Sequence, residues 1–379
     1  MAHYLRDGQI VGHGPTAREI SHLSARFECI HHIGCLHQGP APAMMLPYAS
    51  ERVRLIPVEF AGGDSLLNKL SVLRVANQYI RAITHELREL NADDDVVHVR
   101  CPAPISLIAI ILMSVLRLPR KRWVKYAGNW RPKHFDSIGY AFQRWWLKRN
   151  FVRGHVTVNG HWPNQPDHVA AWVNPCLTQD ELDEGRALSK AKPPLAPIRL
   201  IFVGRVSEIK GVGRCLEIVR RLIDHGLDVK LDIIGDGPQR GGFQAQVASS
   251  MQGDVAFHGW LARTALAPFL QRAHLMLFPS DSSEGWPKVL SEGMAYGVVP
   301  IASNVGSISQ YLNECGVGAT FDPHDIDGFV TAILEYARNP SRWQVQSTQS
   351  VTAASRFTYD AYLENVSRLL DLETGSAPL

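Results

Sequence analysis

At 379 residues and a formal net charge of +3, the chain is long enough for two domains of ordinary size and carries no global field that would draw nucleic acid to it. Hydrophobic residues make up 45% and charged residues 20%, which excludes disordered and fibrous classes and leaves the composition of a soluble globular protein. Six cysteines, Cys29, Cys35, Cys101, Cys176, Cys215 and Cys315, show neither close pairing nor a His/Cys metal spacing, so a reducing cytosol is the expected compartment and no metal site is expected.

Met1 to Leu5 carries no long apolar run, so no signal peptide is expected. The most apolar segment, Ile105 to Leu118, is interrupted by Ser106, Ser114 and Arg117. It falls short of the roughly 20 apolar residues a spanning helix needs and reads as a buried helix.

In chain order, Tyr4 to Gly14 shows no strong strand. Gly12 and Gly14 stand before a predicted helix over Pro15 to Phe27, either as a loop able to approach a phosphate or as an ordinary turn. Phe27 to Leu36 and Val53 to Phe60 read as strands, Leu66 to Leu90 as a long helix, and Val96 to Cys101 as a buried parallel strand. Alternating strands and helices imply a doubly wound sheet, and ligands gather outside the carboxyl ends of such strands. Arg100, at one of those ends, is a cleft candidate or else an ion-pair partner at the domain edge. Trp123 to Ala127 is the next strand, followed by GNWRPKHF, Gly128 to Phe135, then strands at His155 to Val158 and Ala170 to Val173.

SKAKPPLAP, Ser189 to Pro197, resists both helix and strand and reads as the linker. It separates an N-terminal domain, residues 1–188, from a second domain, 198–355. The second half restarts the alternation with strands at Ile198 to Gly204, Val229 to Gly235, Val255 to His258 and Leu275 to Phe278, and a helix at Val212 to His225. Arg356 to Leu372 reads as a terminal amphipathic helix within a last segment, 356–379.

The stretch FPSDSSEGWPKVLSEGMAYGVVPIAS, Phe278 to Ser303, reads as strand, loop, helix and strand, with Pro287 at a first helical position and Gly297 closing the helix. Leu290 and Met294 form one face of that helix and Lys288 and Glu292 another, a charged pair toward a cleft. Glu284 sits just before it. The helix N-terminus, with the amides near Gly285, Trp286, Pro287, Lys288 and Val289, suits negatively charged oxygens, and two flanking carboxylates suit hydroxyls.

Glu284, seven intervening residues and Glu292, followed by GMAYG and a buried strand, resembles the signature of family 4 glycosyltransferases, which are retaining GT-B enzymes. FVGRVSEIKG, Phe202 to Gly211, resembles that family's diphosphate loop, IIGDGPQR, Ile233 to Arg240, its next strand end, and FHGWL, Phe257 to Leu261, its base-contacting loop. The resemblance implies a GT-B fold: two doubly wound Rossmann-like domains facing a cleft, acceptor on the N-terminal side, nucleotide sugar on the C-terminal side, and a last helix returning to the N-terminal domain. It implies transfer of a sugar from a UDP- or GDP-linked donor to a glycan or lipid-linked acceptor with retention, and no cofactor. Arg205 and Lys210, between Gly204 and Gly211, would neutralise the diphosphate; Glu292 would hold the ribose and Glu284 the sugar. Gly204, Gly235 and Gly259 would line the donor loops, and Trp260 either stacks on the base or packs. Many members carry a histidine in the loop occupied here by Asn129 and Trp130, with His134 nearby but displaced. A non-catalytic sugar-nucleotide-binding module and a non-hydrolysing epimerase are the alternatives on this fold.

Two basic clusters, LPRKRWVK at Leu118 to Lys125 and FQRWWLKRNFVR at Phe142 to Arg153, interleave cations with aromatics. That composition suits a helix lying on an anionic membrane surface, with Arg144, Lys148 and Arg149 as its cations, or aromatics packed beneath a solvated face. The first reading places a cytoplasmic enzyme on the inner face of the membrane.

Overall fold

The computed structural model describes every residue except 62–65, 117–118, 133–136, 283–284 and 373–379. The chain divides into two compact units, Met1–Trp172 with Tyr359–Leu379, and Val173–Thr358.

The first unit opens with β1 (Ala2–Arg6) and β2 (Gln9–His13), paired antiparallel where no strong strand is expected from the sequence. Asp7 has φ 51° and Gly8 φ 77°, and positive φ at both central residues is what a two-residue hairpin turn requires. The hairpin lacks an apolar signal because the positions it buries beside Val11 are His3 and Gly12, while Leu5 is 57% exposed. The chain then forms α1 (Gly14–Leu23), β3 (Ile30–Leu36), β4 (Met45–Pro47) and β5 (Val53–Glu59), completing a sheet ordered β4-β2-β1-β3-β5. After α2 (Leu66–Glu89) come β6 (Val96–Cys101), α3 (Pro104–Val115), β7 (Lys121–Tyr126), α4 (Ile138–Lys148), β8 (His155–Val158) and β9 (Val169–Ala171). These last four strands form an all-parallel sheet in sequential order. Its core includes Val99, Ile110, Met113, Val124, Leu147 and Val156.

The second unit begins with α5 (Gln179–Ser189), started by a capping box in which Thr178 and Glu181 satisfy each other's backbone N–H groups. It continues through β10 (Ile198–Val203), α6 (Val212–Asp224), β11 (Val229–Ile234), α7 (Arg240–Ser250), β12 (Val255–Gly259), α8 (Arg263–Arg272), β13 (Leu275–Phe278) and α9 (Lys288–Ala295). It closes with β14 (Val299–Ser303), α10 (Ile308–Cys315), β15 (Ala319–Phe321), α11 (Ile326–Arg338) and α12 (Pro340–Ala354). All pairings are parallel and the order is β12-β11-β10-β13-β14-β15. Helices cover both faces, so β10 and β13 read as nearly unbroken apolar runs. On α6 the apolar stripe Cys215, Leu216, Val219 and Leu222 is buried, while Glu217, Arg220, Arg221 and Asp224 pair on the outside.

The units meet in sequence at Trp172/Val173 and Thr358/Tyr359, not in the stretch 189–197. The reason is packing: α5 lies against α8, α9 and α12, and the Lys192 ammonium donates to the Leu270 and Ala273 carbonyls at 2.7 and 2.5 Å. The proline-rich stretch is therefore fastened to the second unit. The last helix, α13 (Tyr359–Leu369), belongs to the first unit, where Tyr362, Leu363 and Val366 pack with Leu23, Trp123 and Trp172. All six cysteines are free, and burial pushes the Cys101 and Cys176 thiols up to about 12, so neither supplies a thiolate near neutrality.

Candidate functional site

In the second unit, strand order reverses between β10 and β13, and the carboxyl ends of strands on either side of such a reversal open a crevice for ligands. The loops after β10, β11, β12 and β13 carry most of the residues singled out from sequence.

Those loops are held close by backbone hydrogen bonds. Gly204 N donates to Ile234 O at 2.9 Å, Val206 N to Asp236 O at 3.0 Å, and Gly235 N to Gly259 O at 2.8 Å. Gly235 has φ 135° and a Cβ there would lie 1.8 Å from the Gly204 carbonyl oxygen, so only glycine fits. The β10 and β13 loops are stitched the same way: Asp281 N donates to Ile209 O at 2.9 Å and the Arg214 Nε to Pro279 O at 2.7 Å. Gly211, at φ 86°, approaches Pro279 so closely that a Cβ would sit 2.1 Å from its oxygen.

On this scaffold Arg205 is exposed, directly after Gly204, and Lys210 is half-buried with its Nζ donating to Ser282 Oγ at 3.4 Å. Burial, then the Arg205 charge, lowers the Lys210 pKa from its ordinary value. Two cations that raise each other's potential are stabilised by an anion between them. α9 starts just beyond β13, and the first amides of a helix have no acceptor within it. Its start differs from expectation: Pro287, at φ −73° and ψ 118°, is the N-cap and Lys288 the first helical residue. Gly285 is buried and its carbonyl accepts from both the N–H and the hydroxyl of Ser307, while Val289 packs at the edge of the core.

The Trp286 side chain faces the core. Its ring is buried against Phe357, 5.1 Å apart and 10° from parallel, and its Nε1 donates to Ser291 Oγ at 2.8 Å. Trp260 is the opposite case, 44% exposed beside Gly259 at the end of β12. Glu292 pairs with Arg263 Nη1 at 2.9 Å. Arg263, the first residue of α8, was not singled out in the sequence; no motif marks it. Glu284 lies outside the described residues.

The candidates of the first unit are occupied by packing. Arg100 and Lys125 converge on the buried Glu19, with Arg100 Nη1 at 2.8 Å and Lys125 Nζ at 2.6 Å from its Oε1, so Arg100 takes the ion-pair alternative. Gly12 is paired with His3 inside the β1/β2 ladder, and Gly14 opens α1 and donates to Met44 O at 3.2 Å. Asn129 is buried, accepting from Arg131 N at 3.0 Å, and Trp130 packs edge-on to Tyr126. His134 lies outside the described residues. The basic clusters divide likewise. Arg122 is buried and donates to the carbonyls of Pro119, Leu116, Val152 and Met113; Arg144 is buried and donates to the Tyr126 hydroxyl at 2.8 Å. Ile138, Trp145, Phe151, Lys148 and Arg149 remain exposed, with the Arg149 guanidinium 4.3 Å above the Trp145 ring. Among the described residues no helix is long and apolar enough to cross a membrane.

Residues 197–339 match the family described as "Glycosyl transferases group 1". These residues form a group 1 glycosyl transferase domain. The glycosyl transferase domain coincides with the six-stranded sheet and its ligand loops. The chain is 26% identical over 143 residues to the 2-deoxystreptamine N-acetyl-D-glucosaminyltransferase of Niallia circulans, covering 38% of this chain and 36% of that protein. It is 28% identical over 370 residues to the glycogen synthase of Mycobacterium tuberculosis, covering 92% and 87% of the two. Among solved structures, Anabaena HepE in complex with UDP and glucose superposes with a TM-score of 0.65 at 12% identity, covering 95% of this chain and 96% of that one. The fold is GT-B.

Proposed function

We propose that the chain is a nucleotide-sugar-dependent, retaining glycosyltransferase of polysaccharide or glycolipid assembly. The observation that carries this reading is the placement of Arg205 and Lys210 on the loop after β10 and of α9, with Glu292 one turn into it, after β13, the two strands that flank the reversal. Transfer requires stabilising a departing diphosphate and an oxocarbenium-like sugar. Arg205, Lys210 and the first amides of α9 meet the diphosphate charge, Glu292 accepts from the ribose hydroxyls, Glu284 addresses the sugar, and the exposed Trp260 offers the base a face. The acceptor oxygen bonds to the anomeric carbon on the face from which the diphosphate leaves, and a diphosphate oxygen takes the acceptor's proton. The protein contributes position and charge. No cofactor enters this scheme.

The test is release of UDP or GDP from a panel of nucleotide sugars with and without oligosaccharide and polyprenyl-linked acceptors, with the product anomer read by NMR. Acceptor-dependent release with retention supports the proposal. Conversion of the donor without an acceptor identifies an epimerase, and binding without turnover a recognition module.

The exposed aromatics of the first unit favour an acceptor carried on lipid. Ile138, Trp145 and Phe151 present apolar surface beside Lys148, Arg149 and Arg153, the composition of an interfacial helix on an anionic bilayer. Cosedimentation with anionic liposomes at low salt, lost in Trp145→Ala with Phe151→Ala, supports this; equal recovery in the supernatant with and without lipid overturns it. Arg144 is left unchanged in that test because it is buried.

A further inference from the structure

Arg263 stands at the beginning of α8, four residues past Gly259, and joins three elements of the second unit. Its Nε lies 2.7 Å from Glu181 Oε1, and its Nη1 donates to Glu292 Oε1 at 2.9 Å and to the Cys176 carbonyl at 3.4 Å. Glu181 is itself locked, because its Oε2 accepts from Thr178 N at 2.7 Å in the capping box that starts α5. The guanidinium is thus anchored at a fixed helix terminus, and its Nη1 reaches a carboxylate on the helix that borders the strand reversal.

A glutamate has three rotatable side-chain bonds, and accepting from two vicinal hydroxyls at once requires its carboxylate in one orientation. A planar guanidinium clamped on one side and bonded to one carboxylate oxygen on the other supplies that orientation. We infer that Arg263 is a positioning residue that holds Glu292 for the nucleotide ribose, so that the site selects ribonucleoside over 2′-deoxyribonucleoside diphosphates. The inference rests on the donor-site reading above. Arg263 itself touches neither sugar nor phosphate; it acts through Glu292, and its removal lets the carboxylate turn until only one hydroxyl is met.

A purely structural tie between α5, α8 and α9 would have a different signature, since loosening it weakens all nucleotides alike. Calorimetry on the full chain with UDP, GDP, ADP and their 2′-deoxy forms separates the two. For whichever nucleotide binds, the parent is expected to favour the ribose form by about tenfold or more, the worth of a hydrogen bond to a charged group. Arg263→Ala should bring that ratio to within about twofold of the ratio in Glu292→Gln. Glu181→Gln, which keeps an oxygen for the helix cap but loses the charge facing Arg263, should lower the ratio less, in the same direction. A parental ratio retained in Arg263→Ala and Glu181→Gln overturns the inference, whatever happens to absolute affinity. If the parent binds these nucleotides without preferring ribose, the inference fails and the donor site stands; if it binds none of them, the donor site itself is refuted.

Discussion

Replacing Gly235 by alanine perturbs the donor loops at their tightest point. The new Cβ would lie 1.8 Å from the Gly204 carbonyl oxygen, whereas a carbon and a carbonyl oxygen settle at roughly 3.3 Å, so the two strand ends must part by about 1.5 Å. The backbone at φ 135° adds strain that only glycine avoids. Such strain costs about 1–3 kcal/mol and overpacking about 1–3 kcal/mol more, which predicts about 2–6 kcal/mol for Gly235→Ala. Gly226 is the internal control: it lies in the same unit at φ 74° with nothing within 4 Å of a would-be Cβ, so Gly226→Ala carries backbone strain alone, about 1–2 kcal/mol. Urea unfolding of both variants beside the parent measures the difference, expected at about 1–3 kcal/mol, the contribution of overpacking. Because the displaced carbonyl belongs to the residue before Arg205, sugar transfer should fall in Gly235→Ala even where the protein remains folded. A Gly235→Ala variant no less stable than Gly226→Ala would refute the close-approach argument.

Lys210→Ala should slow transfer by about a hundredfold, about 3 kcal/mol of transition-state stabilisation, in steady-state kinetics; unchanged turnover removes Lys210 from the diphosphate site. Glu292→Ala should weaken free nucleoside diphosphate in calorimetry, whereas Glu284→Ala should spare that binding and depress transfer. Lys192 is held near pKa 7 by burial, below its unfolded value of 10.5, so between these values the unfolded chain binds more protons and stability rises with pH. A neutral amine still donates to both carbonyls it faces. Thermal melts of the parent against Lys192→Met should therefore show the parent gaining relative stability from about pH 7 toward pH 10, and a pH-independent difference contradicts it.

The second unit was legible because its signals are local. Ile198, Val229, Leu275 and their neighbours form apolar runs ended by Gly204, Gly235 and Pro279, and the observed strands β10, β11 and β13 fall within a residue of expectation. The first unit was less so wherever its residues bury little or pair far away in sequence. β1 and β2 carry no apolar period, although Asp7-Gly8 is itself a hairpin signal. The cations of the clusters at 118–125 and 142–153 look alike in sequence, yet Arg122 is withdrawn into a ring of carbonyls while Arg149 remains on the surface. What separates them is whether the turn C-terminal to α3 presents carbonyls to the β7 side chain, a tertiary fact that composition does not carry.

The site shows the same division. Spacing placed Glu292 on α9 and the cations on the β10 loop, and it set Lys288 and Glu292 as a charged pair one turn apart, but it did not reveal Arg263. The pairing has the weaker orientation, with the cation N-terminal to the carboxylate, and it sets Lys288 in the first turn, where the helix dipole already presents positive potential. Glu292 takes a cation from another element. Arg263 fills that need across 29 positions of sequence, braced by Glu181 from a third helix. No spacing rule could supply it, because the three residues are neighbours only once α5, α8 and α9 have packed. Held at a single oxygen by a braced guanidinium, the Glu292 carboxylate keeps one orientation and the lone pairs that the proposed ribose contact requires.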